Sequence, residues 1–132
     1  MTVLESVGTY LAANGQGTVG TNLFLGRLPT SPDVCVAVYE YQGAPPREVF
    51  GASALVMDRP RIQVVVRGAR DDYPTARDKA IAIRDLLAAV TDQTLSGVRV
   101  LRLSAVGSVN PLGPDSSDRP LLSINFDATV AQ

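Results

Sequence analysis

RPRIQVVVRGARDDYPTAR, residues 59–77, packs a strand, a turn and the start of a helix into one short stretch. Ile62, Val64 and Val66 alternate with Gln63, Val65 and Arg67, the period of a strand with one strongly apolar face and one mixed face. Gly68 ends that strand. Asp72 or Tyr73 is suited to cap a helix, and Pro74 is tolerated in its first turn because a proline there gives up no needed N–H. Ala76, Ala80, Ile83, Leu87 and Val90 then form a helical stripe, with Arg77, Asp78, Lys79, Arg84 and Asp85 mostly away from it. The arginines crowded here pose a question: is this the approach to an active site, or a joint in a building block?

Upstream, Thr2 and Glu5 have the spacing of a capping box. Val3, Val7, Tyr10 and Leu11 recur at helical spacing, and Gly15 suits a left-handed stop, so residues 3–14 read as an amphipathic helix. LFLGRL, residues 23–28, reads as a short strand ended by Pro29. DVCVAVYEYQG, residues 33–43, is β-branched and aromatic, hence a strand. Val34, Val36 and Val38 share one side; Cys35, Ala37, Tyr39 and Tyr41 share the other. Both sides are largely apolar, which points to a second cover, with a neighbouring subunit as its source. GAPPREVFGASALVMDRP, residues 43–60, reads as a long mobile connection.

Downstream, VRVLRLSAV, residues 98–106, is a strand, and GSVNPLGPDSSDRP is a second turn-rich connection. LLSINFDATV, residues 121–130, alternates cleanly: Leu122, Ile124, Phe126, Ala128 and Val130 inward, Ser123, Asn125, Asp127 and Thr129 outward. No stretch repeats. The expected architecture is α/β of the α+β kind: one mostly antiparallel sheet with two helices on one face, in the order α-β-β-β-α-β-β, with long loops. A length of 132 residues is most simply one domain, 1–132.

Composition excludes more than it selects. The net charge of -1 gives no bulk attraction to nucleic acid or an anionic membrane. With one cysteine, Cys35, no internal disulfide framework is possible, and a reducing compartment is expected. The start MTVLESVGTYLAANG lacks the basic region and apolar core of a signal peptide, and no apolar run approaches the roughly 20 residues of a membrane-spanning helix. The expectation is a soluble chain, cytoplasmic at synthesis. Histidine is absent, which removes Ser-His-Asp and Cys-His chemistry and the commonest metal ligand.

The remaining motifs favour structure over chemistry. GQGTVG, residues 15–20, matches the dinucleotide fingerprint by letter, but that motif needs a strand before it and a helix after it. Here the order is reversed, so it reads as a loop. Asp115 and Asp118, around Ser116 and Ser117, lack the oxygen count and spacing of a calcium loop and read as a solvated turn. Asp71 and Asp72 read as a helix cap, and Cys35 as a small hydrophobe within a strand. Tyr39 and Tyr41 suit a core or an interface equally. Arg59, Arg61, Arg67, Arg70 and Arg77 are open to three uses: a bound phosphate, plain solvation, or ion pairs across subunits with carboxylates such as Asp71, Asp72 or Glu48.

Two stretches carry a family likeness. RPRIQVVVRGARDDYPTARDKAIAIRDLL and NPLGPDSSDRPLLSINFDATV, with Ile62-Gln63, Arg67-Gly68, Leu112-Gly113, Asp115, Arg119 and Ile124-Asn125-Phe126, resemble the minor capsid or tail terminator proteins of long-tailed bacteriophages. VAVYEYQGAPP sits where those proteins often carry a strand and a proline-containing loop, so the resemblance spans roughly residues 33–130. It implies an α/β subunit of a ring, usually a hexamer, that caps the tail tube, stops its polymerisation and offers a surface for head attachment. The implied partners are further copies of the chain, the tail tube protein and a head-completion or connector protein. DNA would pass through the lumen without specific binding, no membrane is involved, and the place is the virion, after assembly in the host cytoplasm. No enzyme activity and no cofactor are implied.

The family supplies no diagnostic functional residue. Position and residue type nominate Tyr39, Tyr41, Arg61, Gln63, Arg67, Arg70, Asp72 and Arg77 for subunit or partner contacts, with loops 43–60 and 107–119 beside them. The competing readings are a head–tail connector or other neck component and, from a different class, a small ligand-binding module or enzyme using the arginines and Asp72.

Overall fold

A computed structural model of the chain describes residues 2–48 and 56–131. Its elements are α1 (Val3–Ala13), β1 (Leu23–Leu25), β2 (Cys35–Glu48), β3 (Val56–Arg67), α2 (Tyr73–Ala88), β4 (Thr91–Leu95), β5 (Val98–Pro114) and β6 (Pro120–Ala131). The expected order holds, with the short β4 added after α2. TDQTL escapes a periodicity reading because Thr91 to Thr94 are polar and exposed, and only Leu95 is buried.

The strands form one six-stranded sheet in the order β1-β2-β3-β6-β5-β4. Every pairing is antiparallel except β1 with β2. Both helices lie on one face, and their stripes close the core. Val7 and Leu11 of α1 and Ala76, Ala80, Ile83 and Leu87 of α2 join Val36, Val38, Ile62, Val64, Val66, Leu122, Ile124 and Phe126 of the strands. Burying a leucine, isoleucine or phenylalanine of this kind stabilises by about 1.5–3 kcal/mol each.

The helix starts follow the local chemistry. The Thr2 hydroxyl accepts from the Glu5 N–H at 3.2 Å, and the Glu5 carboxylate accepts from the Thr2 N–H at 3.4 Å. At α2 the Asp72 carboxylate accepts from the Thr75 N–H, with a proline in the first turn. Between β3 and α2, Gly68 is squeezed: a Cβ there would stand 2.7 Å from the Ala76 Cβ and 2.9 Å from Pro120. The stretch 59–77 is thus a tight strand-to-helix joint.

Three expectations change. Residues 43–60 are not a loop: 43–48 belong to β2 and 56–60 to β3, paired Ala44↔Arg59, Arg47↔Met57 and Glu48↔Val56, while 49–55 lie outside the described residues. Gly43 fits this pairing because a Cβ would collide with the Arg59 carbonyl. Residues 107–119 are likewise mostly strand, with β5 running to Pro114 and only 115–119 left as a turn. Bulges let prolines and glycines sit in these outer strands, so their turn-rich composition misleads. The third change concerns β2: Cys35 and Ala37 are buried within this single chain, so their cover does not require a neighbour. Val34, grouped with Val36 and Val38 by alternation, precedes the strand and is exposed.

Candidate assembly surface

The face of the sheet opposite the helices carries the residues that alternation leaves out of the core. Strand register arranges them in transverse rows. Tyr41, Arg61, Asp127 and Ser104 form one row across β2, β3, β6 and β5; Tyr39, Gln63, Asn125 and Val106 form the next. Ala37, Val65, Ser123 and Asn110 follow, then Cys35, Arg67, Leu121 and Gly113. The first two rows gather Tyr39, Tyr41, Arg61 and Gln63 into one patch.

Within the first row, the Arg61 Nε donates to an Asp127 carboxylate oxygen at 2.7 Å. Both side chains are about half exposed, so the pair is worth about 0.2–1 kcal/mol and serves mainly to hold the row in shape. Asp127 is thus the arginine's partner within the chain. In the next row, burial pushes the Tyr39 phenol up, assisted by Cys35 on the same face. The Asn125 Oδ1 and Ser123 Oγ are buried without a hydrogen-bond partner.

The rows at the other end are closed by the chain itself. Arg67 is 3% exposed and donates through Nε and Nη2 to the Asp33 and Pro32 carbonyls. Arg119, also buried, donates to the Thr30 carbonyl, to the Asp33 carboxylate and to Asp115. Together they tie segment 26–34 to the sheet. Asp115 also accepts from the Ser117 and Arg119 N–H groups, and these backbone donors, with the Arg119 guanidinium, hold its carboxyl below the usual range. The Asp115–Asp118 turn is therefore an internal brace. Burial pushes the Cys35 thiol up, against the opposing pull of Arg67 and Arg119, so it is a poor nucleophile.

The other nominated residues lie elsewhere. Arg70 is exposed in the turn after β3 and donates to the Ser117 carbonyl. Asp72 caps α2, and Arg77 is exposed on that helix's first turns. Ser104, Asn125, Asp127 and Val106 complete the patch but were not among the nominated residues. Alternation within β6 marked Asn125 and Asp127 as outward; the pairing of β6 between β3 and β5 then sets them beside Arg61 and Gln63.

Among the described residues there is no group of three or more metal-ligating side chains, and no helix is long and apolar enough to cross a membrane. A groove of about 540 Å³ opens where β2 and β3 run past the start of α1, with Glu40, Tyr41 and Pro60 in its wall. The polar strip across the sheet is edged by exposed Tyr41 and Val106.

Residues 10–132 match the family described as "Bacteriophage tail terminator protein". The chain belongs to this family of structural phage tail proteins. Its fold is similar to that of a chain from the "Virion of native gene transfer agent (GTA) particle", with a TM-score of 0.70 at 19% identity, covering 98% of this chain and 95% of that one. A further solved chain is similar at 15% identity with a TM-score of 0.48, covering 94% and 88%. Comparison with curated proteins gives no match.

Proposed function

We propose that the chain is a tail terminator that closes into a ring, a hexamer by family likeness, on the finished tail tube. The ring stops tube polymerisation and presents a surface to the head-completion or connector protein, as a virion component put together in the host cytoplasm. It acts by contact and not by catalysis, without a cofactor, and DNA passes through its lumen without specific binding. The family match across residues 10–132 carries this reading. The patch of Tyr39, Tyr41, Arg61 and Gln63 supports it as a surface toward neighbours, with Arg70, Asp72 and Arg77 at the head of α2 as a second one. Arg67 serves by fastening segment 26–34 at the far end of the same face.

The test is electron microscopy of lysates from a phage carrying a stop codon in this gene. Tubes of uncontrolled length beside filled, tailless heads are expected. Tails of normal length that fail to join heads would transfer the assignment to a head–tail connector. Intact infectious virions would overturn both.

A further inference from the structure

The sheet has two open edges, and they complement one another. β1 pairs with β2 only at Val36, Ala37 and Val38; beyond Val38, β2 is paired on the β3 side alone among the described residues. At the far edge, β4 pairs with β5 only as far as Arg102, and from Leu103 onward β5 is paired on the β6 side alone among the described residues. The Val36 N–H and the Val38 carbonyl both point toward the β1 side, where they meet the Asn22 carbonyl and the Gly26 N–H. Alternation therefore turns the N–H and C=O of Glu40 to that same side, past the end of β1.

The two free edges overlap at one level of the sheet. Tyr41 shares a row with Ser104, and Tyr39 shares a row with Val106. β2 and β5 also run in opposite directions, since three antiparallel pairings separate them. A second copy set beside the first without axial shift thus presents its β5 edge, antiparallel and in register, to the free β2 edge. Tyr41 is 37% exposed and Val106 38%, both on the helix-free face, so the junction would add aromatic–β-branched contact to the backbone bonds.

Bulges end the regular edge on both strands, after Tyr41 on β2 and after Val106 on β5, where Gly107 has a φ of 74°. A short regular segment bounded by bulges gives one register and discourages indefinite pairing. The contact joins unlike surfaces, so it generates a closed ring when the rotation closes.

We infer that copies of this chain join by antiparallel strand pairing of β2 residues Tyr39–Gln42 of one subunit with β5 residues Leu103–Val106 of the next. This rests on the ring reading above and names its interface. The test uses two full-length variants in a Cys35→Ala background, Tyr41→Cys and Ser104→Cys, mixed and oxidised both in solution and on purified tails. Directly opposed strand positions lie within disulfide reach. A covalent dimer in the mixture, absent from either variant alone, is expected, and a chain carrying both substitutions should give a ladder up to the ring. Native mass spectrometry reads ring formation separately. Rings without the mixed cross-link, or a cross-link in Tyr41→Cys alone, overturn the edge pairing and leave the ring standing. Absence of rings both in solution and on tails overturns both. As an independent check, Glu40→Pro removes an outward N–H; loss of rings with an unchanged melting temperature is expected, and unaltered rings overturn the pairing.

Discussion

Arg61 on β3 and Asp127 on β6, 66 positions apart in the chain, stand directly opposite each other and close an ion pair of 2.7 Å. Their row continues to Tyr41 on one side and Ser104 on the other. Because both groups are half in water, a double-mutant cycle of Arg61→Ala and Asp127→Ala should give a coupling of about 0.2–1 kcal/mol, reduced by salt. If the row forms an assembly surface, the same variants should impair tail completion more than this small coupling suggests. Chemical denaturation and plaque counts measure the two effects.

Gly68→Ala should destabilise by about 1–3 kcal/mol, the usual range for overpacking. The added Cβ meets Ala76 and Pro120 at the joint between β3 and α2. Thermal unfolding reads the loss. An unchanged melting temperature would mean that the joint relaxes freely.

Arg67→Met keeps bulk and removes the donors to the Pro32 and Asp33 carbonyls. A cost of about 1–3 kcal/mol is expected for leaving such groups without partners. Hydrogen exchange should speed up in segment 26–34 and stay slow in α2.

Asp115 gives a pH dependence with a definite sign. Its carboxyl is held below the ordinary value in the folded chain by backbone donors and Arg119. It therefore stabilises fully above the unfolded-state pKa of about 4, and this contribution fades as pH falls through the folded value. Melting temperature measured from pH 6 down to pH 2.5 should fall less steeply in Asp115→Asn than in the parent. An equal slope in both would remove Asp115 from the acid response.

Cys35 should react slowly with a thiol reagent in the folded chain and rapidly in denaturant, because burial disfavours its thiolate. Absorbance of the released chromophore follows both rates. Equal rates would place the thiol at an accessible site.

Much of the fold is legible locally. The Thr2–Glu5 spacing, the stripe from Ala76 to Leu87 and the alternation from Leu122 to Val130 each encode their element through contacts within a few residues or through simple periodicity. Half of the surface patch is legible as well, since Tyr39, Tyr41, Arg61 and Gln63 stand on the less apolar sides of their strands. Where composition and pairing conflict, composition misleads: 43–48 and 107–114 carry glycine and proline yet lie in strands, because the bulges within the β2–β3 and β5–β6 pairings accommodate those residues.

The sequence by itself determined both helices, the order of every strand but β4, and which side of β3 and β6 meets the helices, because periodicity and capping are properties of neighbouring residues. Only the tertiary structure decided that β6 enters between β3 and β5. That placement sets Asp127 against Arg61 and brings Arg119 to the 26–34 segment. Those relations depend on hydrogen bonds between strands distant in the chain, and the local pattern of residues carries no record of which strand will be the neighbour.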